Sequence, residues 1–229
     1  AMANRILANE NIIDVYGHIS VRNPENPNTF FQADRKTPEI ITRNDILEFD
    51  LNGNIVSSNK GTCNREILMH TAIYKAREDV NAICHCHLKE LQPFACTDTP
   101  IRPLAHPMGI FYDGIPIYDG EDSSPGFHFT TSEKCHSLVD TLGKSRAILL
   151  RHRGAVIVGE NLINMIIASL SLRDSAILQI QAMSLGKPVF MTESESKEVC
   201  KLTLSYETGE RMWNHLVKRM IKNMPDLYW

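Results

Sequence analysis

A layered α/β domain, with a mixed sheet carrying helices on its faces, is predicted by three observations. The strand-like runs 147–151 and 155–158 flank Arg-His-Arg-Gly, a compact reversal. The runs 46–50 and 54–57 flank Asn52-Gly53, a strong hairpin signal. Helical patterns precede, separate and follow these strands, so helices must cover the sheet.

Each element has its own warrant. Residues 3–13 place Ile6, Leu7, Ile12 and Ile13 at near-helical spacing before Gly17 breaks the pattern. Residues 19–22 alternate as a strand and run into Asn23-Pro24, a turn. Residues 65–77 read as a helix with Ile67, Leu68, Thr71, Ala72 and Tyr74 inward and Asn64 as N-cap. Residues 80–88 form a strand, and a long apolar helix over 162–185 is stopped by Gly186 and Pro188. The segment 212–229 reads as an amphipathic helix whose apolar side meets core or another subunit. Its terminal Tyr228-Trp229 is expected to close over a neighbouring subunit's site.

Composition removes several classes of function. The 229 residues carry 24 basic and 27 acidic side chains, a formal charge of -3, with 43% hydrophobic types. No basic patch, arm or amphipathic basic helix marks a nucleic-acid or membrane partner. The most apolar stretch, 162–172, is interrupted by Asn164 and is too short to span a bilayer. Six scattered cysteines in a chain of this size suggest reduced thiols and a cytoplasmic protein. Repeats and linker-like compositions are absent, so one domain over 1–229 is expected.

The densest chemistry is Ile83-Cys84-His85-Cys86-His87. Residues two apart on a strand share a face, so His85 and His87 project together and Cys84 and Cys86 point oppositely. Paired imidazoles can converge on Zn, Mn or Fe; on this tripeptide alone, two satisfied histidines on a half-exposed strand are the commoner case. Glu66 and His70, four apart, share a helix face just before that strand. A carboxylate there can ligate a metal or move protons, although a surface glutamate near a helix start is commoner. His152, beside Gly154, can supply a third imidazole or simply sit in a turn.

The stretches Gly17-His18-Ile19-Ser20-Val21-Arg22, Glu66 leading its helix, Asp79 through His87, and Leu149 through Gly159 occur in this order. With those intervals the chain resembles the class II aldolase/adducin family over nearly its whole length. The resemblance implies a three-layer α-β-α fold with a largely antiparallel sheet. It also implies a homotetramer with sites near subunit interfaces. One divalent metal ion per chain (Mn2+, Zn2+ or Fe2+) is expected on His85, His87 and His152, with Glu66 catalytic.

Two departures from the family pattern bear on chemistry. The family places its third histidine immediately before the glycine, where this chain has Arg153. The sugar-phosphate members hold phosphate with an asparagine at the position of His18 and with serines before the glutamate, where this chain has Asn64-Arg65. A guanidinium there suits a carboxylate. Together with Arg102-Pro103-Leu104-Ala105-His106-Pro107-Met108-Gly109, this resembles the family's decarboxylase branch, which acts on hydroxylated aromatic, pyridine or dienoate acids.

That resemblance assigns His18 and Arg65 to the carboxylate, Ser20 to a substrate hydrogen bond, and proton delivery to Glu66 or His106. The expected activity is a metal-dependent carboxy-lyase on a small carboxylate. A class II aldolase or epimerase acting on a sugar phosphate or hydroxy-ketone is the alternative. A non-catalytic adducin-like scaffold is the second.

Overall fold

The computed structural model describes residues 1–120 and 129–225. In chain order the elements are α1 (Met2–Asn9), β1 (His18–Arg22), β2 (Thr29–Ala33), β3 (Ile46–Asp50), α2 (Ile67–Ala76), β4 (Ala82–Cys86) and α3 (Gln92–Ala95). There follow β5 (Ile117–Tyr118), α4 (Ser132–Leu142), β6 (Ala147–Leu150), β7 (Gly154–Gly159), α5 (Leu162–Leu185), α6 (Glu193–Thr203) and α7 (Tyr206–Asn223). Among the described residues seven strands form one open sheet in the order β3-β2-β1-β4-β7-β6-β5. Every pairing is antiparallel except β5 with β6.

Strand alternation divides the sheet into two apolar faces. Ile19, Ala82, Cys84, Cys86, Leu149, Ala155 and Ile157 pack with residues of α1, α5 and α7. Phe30, Phe49, Ile83, Ile148, Val156 and Val158 pack with α2 and α4. The sheet therefore lies between helices, as the expected three-layer architecture requires. All six cysteines are free thiols.

Helix α5 is long and apolar enough by length and composition to cross a membrane. However, 61% of its most apolar window is buried within the fold, which marks it as a core helix. Asn161 caps its start, accepting from the Asn164 N–H at 2.8 Å, and Gly186 follows its end.

Several boundaries differ from the sequence reading. Helix α1 stops at Asn9, and Asn11 then takes a left-handed φ of 55°. The expected strand over 54–57 is only an isolated bridge between Phe49 and Ile55 on the open edge of β3, while the other edge of β3 pairs with β2. Asn64 does not cap α2; its side-chain amide donates to Gln32 at 3.2 Å, and Glu66 holds the N-cap position. The last helix spans Tyr206–Asn223 rather than 212–229, and Tyr228-Trp229 lie outside the described residues.

Candidate functional site

The register of β1 on β4 sets His18 directly opposite His85. Both side chains belong to the α2 face, since their neighbours Ile19 and Cys84 point to the α5 face. The ring centroids are 5.3 Å apart, and His87, just past the end of β4, stands 4.7 Å from His85. Helix α2 then delivers Glu66 at its N-cap and His70 one turn later.

A buried hydrogen-bond chain runs behind this cluster. The Tyr74 hydroxyl lies 2.8 Å from Ser20 Oγ, and Ser20 Oγ lies 2.6 Å from His70 Nδ1. His70 Nε2 meets His18 Nδ1 at 3.0 Å, and His18 Nε2 faces Glu66 Oε2 at 3.5 Å. Donation from Tyr74 towards Glu66 gives every hydrogen in the chain an acceptor. The reverse direction strands the Tyr74 hydroxyl hydrogen in the core, which is costly. The chain therefore holds His18 in the tautomer whose Nε2–H faces the glutamate. That contact is too long for a full hydrogen bond, so the Nε2–H is poised rather than satisfied.

His85 Nδ1 meets the Ala155 carbonyl at 3.0 Å. Its hydrogen is thereby on Nδ1, and Nε2 presents a lone pair. That atom is buried with no hydrogen-bond partner among the described residues. Burial pushes the His70 and His85 imidazoles well below their ordinary 6.5, and lowers His18 despite the opposing Glu66 carboxylate. All three are neutral at pH 7. His87 is half-buried, and its Nδ1 lies 3.0 Å from Asp14 Oδ1.

The turn between β6 and β7 brings Arg153 to the cluster. Gly154 begins β7 so close to β4 that a Cβ on it would lie 2.0 Å from the Cys86 carbonyl oxygen. Only glycine fits. The turn before it is closed by the Arg153 N–H donating to the Leu150 carbonyl at 3.0 Å. His152 within this turn has a φ of 62°, and Arg153 follows with its guanidinium donating to Glu66 Oε1. Both partners of this ion pair are about one-tenth exposed.

A cavity of about 570 Å³ opens in front of these groups. Its wall includes His18, Glu66, His87 and Arg153, with Asn64 and Arg65 from the α2 approach and Asp34, Arg35 and Lys36 from the segment after β2. Among the described residues of this wall four cations stand with two carboxylates, and Lys36 is also paired with Asp45; the cationic side chains suit an anion.

The site residues expected from sequence fall into two groups. His18, Arg65, Glu66 and His87 meet at this cavity, with His85 buried behind His18. Three others do not reach it. His152 is exposed, and its Nδ1 lies 3.4 Å from Cys96 Sγ; the one-residue offset from the glycine is real, and Arg153 points where a third imidazole was expected. His106 starts the turn His106–Phe111, whose apolar residues join the α5 face, and it lines a separate groove with Arg173 and Asp174. The sheet stands between it and His85. Ser20 is 1% exposed and committed to His70 and Tyr74, so it orients the cluster rather than touching substrate.

The divalent ion expected from the resemblance does not fit these donors. Among the described residues no three His, Cys, Asp or Glu side chains converge as an ion site. The glutamate nearest the imidazoles is bound to a permanent cation. A dication beside a buried guanidinium would lack the carboxylate needed to offset it.

Sequence reasoning missed Arg153, Asp14 and Tyr74 as members of the site. Arg153 carried a signal, since it stands where a family ligand belongs. Asp14 and Tyr74 carried none beyond their residue types.

Comparison with known proteins agrees with the fold. The chain is 25% identical over 203 residues to the decarboxylase tropJ of Talaromyces stipitatus, covering 79% of this chain and 74% of that protein. It is 24% identical to 3,4-dihydroxyphthalate decarboxylase of Arthrobacter keyseri, over 96% of this chain and 92% of that one. The solved L-fuculose 1-phosphate aldolase from Glaciozyma antarctica superposes with a TM-score of 0.80 at 22% identity. That match covers 99% of this chain and 88% of the other. The profile of the class II aldolase and adducin N-terminal domain matches residues 1–180, and the chain belongs to that family.

Proposed function

We propose that this chain is a carboxy-lyase acting on a small hydroxylated aromatic, pyridine or dienoate carboxylic acid, with one unit over 1–229 carrying the activity. Members of the class II aldolase family are lyases, and the question is which carbon–carbon bond is cleaved. The observation that carries the choice is the cavity wall, where, among the described residues, Arg35, Lys36, Arg65 and Arg153 stand with Asp34 and Glu66 around His18. The decarboxylase names of two relatives agree with it.

For a hydroxy-aromatic acid the steps balance on this chain's own residues. Arg65, from the exposed rim, orients the substrate carboxylate. The Glu66 carboxylate takes the proton of the substrate hydroxyl and passes it to the ring carbon bearing the carboxylate. The resulting dienone carboxylate loses carbon dioxide as the electrons of the broken bond flow to the ring oxygen, restoring an aromatic phenolate. Solvent protonates that oxygen, so one hydroxy-aromatic carboxylate anion and one proton give one phenol and carbon dioxide. Arg153 stabilises the negative charge as it moves between Glu66 and the substrate oxygen. His18, held by the chain from Tyr74, keeps Glu66 in place.

The test is product analysis on a panel of carboxyl-labelled hydroxybenzoates, hydroxypyridine acids and 3,4-dihydroxyphthalate, with L-fuculose 1-phosphate alongside. Labelled carbon dioxide from the acids, and no aldehyde from the sugar phosphate, is expected. Aldehyde from the sugar phosphate without carbon dioxide from any acid would establish the aldolase reading instead.

A further inference from the structure

We infer that the Arg153 guanidinium holds the place of a third metal donor and supplies the site's positive charge itself, so that a carboxylate binds here without a divalent ion. The substrate class rests on the carboxy-lyase reading; the placement of Arg153 does not.

Three observations carry the inference. The contact between Gly154 and the Cys86 carbonyl fixes the chain at the start of β7. The residue immediately before Gly154 is thereby the one that reaches the cluster, and here it is an arginine. His152, the imidazole available in that turn, has a left-handed φ and contacts Cys96 instead.

The second observation is the use made of Glu66. Its Oε1 accepts from Arg153 and its Oε2 faces His18, so the carboxylate that would offset an ion's charge already offsets a guanidinium. The third is the cavity itself. Arg153 shares its wall with His18, Glu66 and His87, so its charge faces the space a substrate would fill. A guanidinium is a permanent cation with a planar fork of donors. It can hold a carboxylate or a developing oxyanion directly, as a Lewis-acidic ion would.

The experiment loads the native protein and R153H separately with Zn2+ and Mn2+, removes free ion, and counts metal per chain. The native protein is expected to retain less than about a tenth of an ion per chain, and R153H about one, lost again in the double variant H85A/R153H. About one ion per native chain, lost in H85A, would overturn the inference. Failure of folded R153H to gain an ion would also overturn it.

Should R153H not fold, salicylate binding followed by calorimetry decides. Native binding is expected to be unchanged by EDTA, and R153Q to weaken it at least roughly tenfold, with R153K weakened less because it keeps the charge but loses the fork. Loss of native binding in EDTA would contradict the inference. If metal counts and salicylate binding come out as expected while no acid on the panel releases carbon dioxide, Arg153's placement is upheld and only the carboxy-lyase reading fails.

Discussion

The two faces of the five-residue strand β4 do opposite work. Ala82, Cys84 and Cys86 enter a close-packed layer with Ala155, Ile157 and Leu172 of α5. On the other face His85 stands among His18, His87 and the hydrogen-bond chain through His70 to Tyr74. A two-residue repeat lets one strand serve packing and chemistry at once. The effect of a substitution should therefore depend on the face it falls on: stability alone on the packed side, turnover on the other, where stability is also lost if a buried charge loses its partner.

The largest separation is expected between Glu66 and Ile157. Glu66→Gln should lower turnover by roughly a thousandfold or more, since it removes the proton carrier. Ile157→Ala, in the opposite face, should cost about 2–5 kcal/mol of stability and leave per-molecule turnover within a few-fold. Steady-state kinetics and denaturant unfolding on both variants check this, and equal losses of turnover would erase the contrast.

The chemical face also carries a buried ion pair. Arg153→Ala should destabilise by about 3–5 kcal/mol, because it leaves the Glu66 carboxylate buried beside neutral imidazoles. Combining it with Glu66→Ala should restore part of that loss. An additive double mutant would show that the pair is not coupled.

The same face should dominate the pH dependence of stability. Burial holds His70 and His85 well below 6.5, and His18 below it. Above 6.5 each is neutral in both folded and unfolded chains and contributes no slope. As pH falls below 6.5 the unfolded chain takes up protons that the folded one refuses. Stability then drops by up to about 1.4 kcal/mol per pH unit for each such group. Urea unfolding between pH 7.5 and 5.5 should show this loss, and a flat profile would mean that these rings are not buried neutral.

The smallest expected effect is at the cavity rim. Arg65→Ala should weaken carboxylate binding roughly tenfold with little change in melting temperature, because the side chain is exposed. Unchanged affinity would remove Arg65 from the carboxylate site.

What the sequence made legible followed local periodicity. The His85/His87 pair, the strands around Arg-His-Arg-Gly and the long helix before Gly186 all announce themselves within a few residues. Strand β2, Thr-Phe-Phe-Gln-Ala, has adjacent aromatics instead of an alternation, so nothing local marks it. The Thr192–Glu195 capping box was a readable start for α6, but its polar helix has no apolar stripe to draw attention. The pairing of Glu66 with Arg153 spans 87 positions and exists only because the sheet brings α2 beside the β6–β7 turn. His152 and His106 were assigned through the family resemblance; backbone twist in one case and the intervening sheet in the other keep them from the cluster.

The most direct measurement is carbon dioxide release from the carboxyl-labelled acids by native protein and by Glu66→Gln, both in EDTA. The native protein should release label from at least one acid, and the variant should lose that release while unfolding cooperatively. Native release that persists undiminished in Glu66→Gln would contradict the role assigned to this carboxylate and the chemistry built on it.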